Sequence, residues 1–117
     1  MARASIREIQ AAVRSKEVSA ASIVDSCLTK IDACDPHLNC FTHLATDSAR
    51  AQAMDIDHRI AQGAALGALA GVPFAVKDLF DVAGEVTHAG AKLRLAEPPA
   101  EPDAPLVARL KAADAIY

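Results

Sequence analysis

The segment that decides the fold runs Gly71-Val72-Pro73-Phe74-Ala75-Val76-Lys77-Asp78. Its apolar stretch, Val72 to Val76, is typical of a buried strand, and Pro73 stands near the start, where a missing N–H does least harm. Lys77 ends the stretch, and an ammonium held away from water is unfavourable unless it loses its proton. We expect Val76 and Phe74 to bury Lys77 and keep it neutral, which would make it a base. On spacing alone, the commoner case is a solvent-facing lysine at the end of a strand.

Upstream of this segment the sequence predicts three helices. Ser5-Ile6-Arg7-Glu8 has the form of a capping box, and the first helix should fade near Ser15. Ser19 is predicted to cap a second helix that Asp35-Pro36 ends, followed by an extended link or short strand at 39–42. A third helix fits Ala45 to about Gln62, with Gly63 as its C-terminal cap. The apolar helical faces hold Ile6, Ile9, Val13, Ile23, Val24, Cys27, Leu28, Ile31, Ala49, Ala53, Ile56 and Ile60.

Downstream, the sequence predicts a turn at Asp81 to Gly84 and irregular structure in the proline-rich stretch from Glu97 to Asp103. Asp103 is expected to cap a last helix, with Pro105 in its first turn and Leu106, Val107 and Leu110 facing inward. Residues 115–117 look like the opening of another strand. The fold class is therefore predicted as α/β, with N-terminal helices followed by the first strand–helix–strand of a mixed sheet.

Composition excludes several classes of protein. The 117 residues carry a net charge of −3 without a basic patch interleaved with aromatics, so we expect no direct nucleic-acid binding. No apolar run approaches the roughly 18 residues that span a bilayer, and the first residues lack the apolar core of a signal peptide. The sequence thus predicts a cytoplasmic location, with Cys27, Cys34 and Cys40 as reduced thiols. Because aromatics are only 3%, we also expect an isolated chain that is poorly stable or associates.

Four potential zinc ligands recur every three residues, at Cys34, His37, Cys40 and His43. Structural zinc sites bring two separated pairs together across a turn, and Asp35-Pro36 interrupts this run instead. We therefore predict no metal site, and a zinc module stays a weaker alternative. His58 lies among charged neighbours and is predicted to face solvent.

The central segment continues through Leu79-Phe80-Asp81-Val82-Ala83-Gly84 to Thr87-His88-Ala89-Gly90, and the whole run resembles the amidase signature family. Further stretches of the same likeness are Asp32 to Asn39 and Val107 to Ala113. The resemblance implies that Lys77 is the base of a Ser–cisSer–Lys relay that cleaves a carbon–nitrogen amide bond through an acyl-serine. In that family the lysine hydrogen-bonds a serine held in a cis peptide, a costly geometry kept where function requires it. The resemblance implies no metal or organic cofactor.

The same resemblance names supporting positions around the lysine: Asp78, Asp81, Thr87, His88 and Gly90. Asp78 would favour the charged lysine if the two paired, but successive side chains of a strand point to opposite faces. His88 and Ala91 replace a threonine and a serine that are common in the family, and Asp114 replaces a glycine.

The nucleophile is missing from this chain. Its six serines all lie in the N-terminal helical region and are interpreted as caps or surface residues. We expect residues 1–117 to be the N-terminal part of a single amidase signature domain, with 1–63 helical and 64–117 the start of the α/β core. The expected partners are a small amide or carbamoyl substrate of the full-length enzyme and a second copy or small subunit. Two alternatives stay open: a non-catalytic fragment or partner-binding piece, and a protein like the A subunit of an amidotransferase.

Overall fold

Helices occupy most of the first half of the chain in the computed structural model, which describes residues 4–117. They are α1 (Ile6–Arg14), α2 (Ala20–Leu38) and α3 (Thr46–Ala61). The second half holds a short 3₁₀ helix (Lys92–Ala96) and α4 (Pro105–Ala112), joined by loops. Residues 1–3, which begin the predicted helical part, lie outside the described residues. Among the described helices, none has the combined length and apolarity that crossing a bilayer requires.

Local capping explains where the first two helices begin. The Ser5 hydroxyl accepts the Glu8 N–H at 3.3 Å, while the Ser5 N–H donates to Glu8 Oε2 at 2.6 Å, so the predicted capping box is confirmed. The bond from the Ser5 N–H, together with one from the Ser5 hydroxyl to the same carboxylate oxygen at 2.8 Å, lowers the pKa of Glu8. Ser19 caps α2 by accepting the Ser22 N–H at 3.1 Å. A second cap comes from α3, whose Asp57 carboxylate accepts the N–H groups of residues 20 and 21 at 2.7 and 3.0 Å.

The prediction that Asp35-Pro36 ends α2 is wrong, because the helix continues to Leu38. In a last turn a proline forfeits only one backbone hydrogen bond, and the following residues compensate for it. Asn39 adopts the left-handed conformation (φ 51°) and donates its N–H to the Asp35 carbonyl at 2.7 Å. The Asp35 side chain accepts the N–H of Cys40 at 2.7 Å. Residues 39–42 are irregular rather than extended into a strand.

The end of α3 follows the predicted pattern. Gly63 has φ +68°, its N–H donates to the Ile60 carbonyl at 3.2 Å, and the Ala64 N–H donates to the Arg59 carbonyl at 3.0 Å. This pair of bonds is a Schellman motif, in which glycine takes the left-handed position without a side-chain clash. The chain can therefore leave α3 sharply and return towards α1.

The core lies between the first three helices and two segments from the second half of the chain. Ala20 and Ala53 are fully buried, and such small side chains let α2 and α3 approach closely. Ile116, 1% exposed, packs into this helical core from the far end of the chain. The remaining members of the cluster are Val13, Ile23, Val24, Ala49, Ile56 and Ala70.

The predicted strand–helix–strand is not present as regular structure, and residues 4–117 form a four-helix α fragment without a named strand. The segments at 72–76 and 115–117 meet in a single parallel bridge between Pro73 and Ile116. Phe74 N–H donates to the Ile116 carbonyl at 2.8 Å, and Ile116 N–H donates to the Val72 carbonyl at 2.9 Å. Pro73 offers no N–H, and the part of the chain described adds no third strand to either edge. A two-segment parallel pair is too short to extend, so the α/β prediction is corrected for this chain.

The last helix also differs from its prediction at two positions. Ala104, not Asp103, occupies the N-cap, and no side chain caps it. Asp103 instead accepts the Ala83 N–H at 2.9 Å and the Lys111 ammonium at 2.8 Å, and these bonds lower its pKa. Leu106 is 48% exposed rather than inward, whereas Val107 is fully buried. Asp103 thus ties α4 to the loop that follows the central segment.

Asp114 fixes the turn that leads from α4 back to the core. It adopts φ 63°, a conformation natural to the glycine it replaces, and its carboxylate accepts two bonds from the Arg59 guanidinium at 2.8 and 3.0 Å. It also accepts the Gly67 N–H. The bonds from Arg59 are the main reason that the pKa of Asp114 is lowered, with the bond from Gly67 adding to it. These contacts hold the 64–70 loop against the 113–117 segment and so place the central segment.

Candidate functional site

A cleft of about 330 Å³ opens beside the end of the central segment. Residues 75–78 form one wall and the loop at 80–88 forms another, while 40–43 and Tyr117 complete the rim. Four of the predicted site residues line this cleft: Lys77, Asp78, Thr87 and His88.

Lys77 lies at the cleft but is exposed to solvent. The expectation that Val76 and Phe74 bury it is wrong in this chain, because a single bridge leaves the end of the segment without neighbours on both faces. Its carbonyl accepts the N–H groups of Leu79 at 2.7 Å and Phe80 at 3.1 Å, which turns the backbone directly after the lysine. Within residues 4–117 the Lys77 ammonium has no ion pair or side-chain hydrogen bond.

The Asp78 carboxylate is held by His88 rather than by the adjacent lysine. Asp78 Oδ1 accepts the backbone N–H of His88 at 2.9 Å, and Oδ2 lies 3.6 Å from His88 Nδ1. Both side chains are about three-quarters buried, with 24% and 25% exposed. Asp78 Oδ2 is buried and has no hydrogen-bond partner among the described residues. Asp78 forms no ion pair with Lys77 among the described residues, and it lies in a turn rather than in the strand that the sequence predicted.

Asp81 and Gly90 shape the loop without lining the cleft. Asp81 accepts the Thr87 hydroxyl at 2.6 Å, and its carbonyl accepts the Ala104 N–H at 2.8 Å. The predicted turn is closed by the Glu85 N–H, which donates to the Val82 carbonyl at 2.9 Å. Gly90 is exposed with φ +73°. Asp81 thus holds Thr87 at the cleft wall, and Gly90 lets the chain turn away.

The sequence reasoning missed two residues at the cleft, Glu85 and Tyr117. Glu85 Oε2 lies 3.0 Å from His43 Nε2, which links the loop to the segment after α2. The Tyr117 ring packs on Phe74 with centroids 5.7 Å apart. Burial raises the pKa of Tyr117, and the nearby Glu85 and Asp78 carboxylates add to the effect. Strand alternation could have found Tyr117, since it follows the buried Ile116 and must face the other side.

The cleft contains no serine, and its hydroxyl groups belong to Thr42, Thr87 and Tyr117. Of the four residues considered for zinc, only Cys40 and His43 line the cleft, and Cys34 and His37 lie exposed elsewhere. Between residues 4 and 117 no group of three or more His, Cys, Asp or Glu side chains converges on one point. His58 lies on α3 outside the cleft and is exposed to solvent, as the sequence predicts.

A family model described as amidase matches residues 22–117, which include the central segment and the cleft. The chain is 46% identical over 109 residues to the AtzE subunit of 1-carboxybiuret hydrolase from Pseudomonas sp. (strain ADP), covering 93% of this chain and 24% of that protein. It is 40% identical over 114 residues to the A subunit of glutamyl-tRNA(Gln) amidotransferase from Streptomyces avermitilis, covering 97% of this chain and 23% of that protein.

Among solved structures, the chain matches one described as an unexpected vestigial protein complex that reveals the evolutionary origins of an s-triazine catabolic enzyme, in its inhibitor-bound form. The TM-score is 0.93 at 44% identity, and the match covers 97% of this chain and 25% of that one. The chain therefore spans about a quarter of the length of the relatives it matches.

Proposed function

The chain belongs to the amidase family, and on that basis we propose that it is the N-terminal part of an amide-cleaving enzyme of the amidase signature type, with Lys77 as the base. It would form part of a single domain, with 1–63 as its helical portion and 64–117 as the start of its catalytic core. The strands of that core would complete their sheet with residues that this chain does not contain. The cytoplasmic location predicted from the sequence belongs to the same proposal.

In the proposed reaction, a serine oxygen attacks the carbonyl carbon of the amide and passes its proton, through a second serine in a cis peptide, to the neutral Lys77 amine. The carbon–nitrogen bond then breaks, and the leaving nitrogen takes a proton from the relay. Water attacks the acyl-serine and releases the acid. Lysine suffices as the base, so the proposal needs no metal or organic cofactor. This chain supplies the lysine, and both serines would belong to the remainder of the protein.

The observation that carries the proposal is the position of Lys77 within the family match. It lies at the cleft without a carboxylate partner among residues 4–117, while the neighbouring Asp78 is bound to His88. An amine that is not paired with a carboxylate loses its proton more readily than one that is. Lys77 is exposed here, so the proposal requires that the remainder of the domain cover it and exclude water.

The test is amide hydrolysis by the 117-residue chain and by any longer protein encoded at the same locus. Acetamide, biuret and glutamine are suitable substrates, because they represent a carboxamide, a carbamoyl compound and an ammonia donor. We expect turnover from the longer protein only, and its loss in Lys77→Ala and in Lys77→Arg, since a guanidinium does not deprotonate. Lys92→Ala, at an exposed lysine outside the cleft, is the matched control and should retain activity. Equal activity in Lys77→Arg would refute the assignment of Lys77.

One observation favours a second candidate, a non-catalytic fragment that binds a partner. No serine lines the cleft in the described part of the chain, and a base without a nucleophile cannot cleave an amide. This candidate predicts no turnover from either length of chain. The relatives include one component of an amidotransferase and a protein complex, which favours a second copy or a small subunit for the partner. Ammonia release from glutamine, in preference to biuret, would support a role like that of the amidotransferase A subunit.

A further inference from the structure

We propose that Thr87 is a substrate-binding residue, whose hydroxyl oxygen accepts an N–H from a neutral carboxamide or carbamoyl compound. The proposal rests on the proposed amidase function and specifies the class of substrate that this cleft takes. It follows that the cleft binds a compound with a carboxylate in place of that amide less tightly.

The hydrogen of the Thr87 hydroxyl is already bound to Asp81. Thr87 Oγ1 lies 2.6 Å from Asp81 Oδ1, and because a carboxylate only accepts, the hydroxyl is the donor. The distance is that of a charge-assisted O–H···O⁻ bond. Thr87 lines the cleft and Asp81 does not, so this bond directs the hydroxyl hydrogen away from the cleft and into the loop.

The Thr87 hydroxyl can therefore act towards the cleft only as an acceptor. Within residues 4–117 no group donates to its oxygen, so the lone pairs stay available to a ligand. The NH₂ group of a carboxamide or a carbamoyl compound supplies the matching donor, whereas a carboxylate supplies none. The other hydroxyls of the lining, on Thr42 and Tyr117, donate to no described group and can turn towards a carbonyl oxygen.

The charges of the cleft favour a neutral ligand over an anion. Two carboxylates line it, those of Asp78 and Glu85, against the single ammonium of Lys77. The raised pKa of Tyr117 has a related origin, since burial and then the fields of these two carboxylates make a negative charge unfavourable on its hydroxyl. A ligand carboxylate would meet the same opposition.

The test measures binding of three related probes to the 117-residue chain by NMR at pH 8, following the backbone N–H signals of residues 85–88. Butyramide is neutral and has N–H donors, N,N-dimethylbutyramide is neutral and has none, and butyrate is an anion. The measurement requires neither turnover nor a serine. Failure of the amidase proposal in the hydrolysis assay and failure of this binding are therefore observed separately.

We expect butyramide to bind about threefold to tenfold more tightly than either of the other probes, as one hydrogen bond allows. Thr87→Val, which keeps the shape but removes the hydroxyl, should lower the affinity for butyramide to that for N,N-dimethylbutyramide. Thr87→Ser, which keeps the hydroxyl, is the matched control and should retain the preference. Equal binding of the three probes, an unchanged preference in Thr87→Val, or no butyramide binding at the cleft would each overturn the proposal.

A second variant leaves Thr87 in place and covers the case in which Thr87→Val fails to fold. Glu85→Gln removes one of the two carboxylates of the lining, so the affinity for butyrate should rise about threefold. The ratio of the affinities for butyramide and N,N-dimethylbutyramide should stay as in the wild type, since the acceptor at Thr87 is intact. An unchanged affinity for butyrate would overturn the claim that the cleft opposes anions.

Discussion

Gly67→Ala tests how the structure holds the central segment in place. A Cβ built on Gly67 lies less than 3.0 Å from three backbone atoms of Ala113. Neither backbone can easily move, because the Gly67 carbonyl accepts Arg14 Nη2 at 2.8 Å and the Leu69 N–H donates to the Ala113 carbonyl at 2.7 Å. The Gly67 N–H is bound to Asp114 as well. The added methyl group must therefore push the 113–117 segment away from the 64–70 loop.

The expected cost follows from overpacking against backbone, which typically destabilises by about 1–3 kcal/mol. For a chain of this length the entropy of unfolding near the midpoint is about 0.25 kcal/mol per degree, so a loss of about 2 kcal/mol lowers Tm by about 8 °C. Gly63→Ala is the matched control, since it meets nothing within 4 Å. Its φ of +68° alone costs about 1 kcal/mol, which lowers Tm by about 4 °C.

Thermal unfolding followed by circular dichroism measures both variants, and hydrogen exchange locates the damage. In Gly67→Ala the N–H groups of Leu69 and Ile116 should exchange faster, because both bonds cross the displaced contact. Gly63→Ala should leave those two groups protected. A Gly67→Ala chain at least as stable as Gly63→Ala would refute the claim that close backbone contact at Ala113 places the central segment.

Three further predictions concern charged and titratable groups. Asp114→Gly should unfold at a higher temperature than Asp114→Ala, because both lose the bonds from Arg59 but only glycine is relaxed at φ 63°; the reverse order would contradict this. The pKa values of Asp103 and Asp114 lie below the ordinary 3.8, so the stability they contribute is present above that pH and is lost as pH falls through the lowered values. Urea unfolding between pH 6 and 2 should show this loss, with a smaller slope in Asp103→Asn, whose bond from Lys111 is weakened; equal slopes would contradict it. Tyr117 is the one tyrosine of the sequence, so an ultraviolet absorbance titration reports on it alone and should give a pKa above 10.0. Unfolding the chain in denaturant should return the pKa of Tyr117 to its ordinary value.

The parts of the fold that the sequence predicts well depend on contacts within a few residues. Ser5 and Gly63 act through hydrogen bonds spanning three to five residues, so their capping roles are visible in the pattern of neighbours. The capping role predicted for Asp103 is wrong because its partners, Ala83 and Lys111, depend on how distant segments pack. The segment at 72–76 has the composition of a strand, but a strand also needs neighbours, and composition does not say whether this chain provides them.

The candidate site likewise has features that neighbouring residues predict and features that depend on distant segments. The motif identifies Lys77 and its neighbours, and alternation along an extended segment predicts that Asp78 faces elsewhere. The contact of Glu85 with His43 could not be predicted, since it joins a loop to the segment after α2. The exposure of Lys77 could not be predicted either, because the burial of a side chain is set by every element around it.

The place of Ile116 in the core sets an order of events during synthesis. The helical cluster reaches Ile56 about sixty residues before Ile116 is made, and at about 5–20 residues per second the ribosome needs several seconds to add them. Throughout that interval the apolar surface of α1, α2 and α3 that Ile116 covers in the folded chain stays uncovered. The nascent helices are then most open to chaperones and to self-association, and arrival of the 113–117 segment closes that interval.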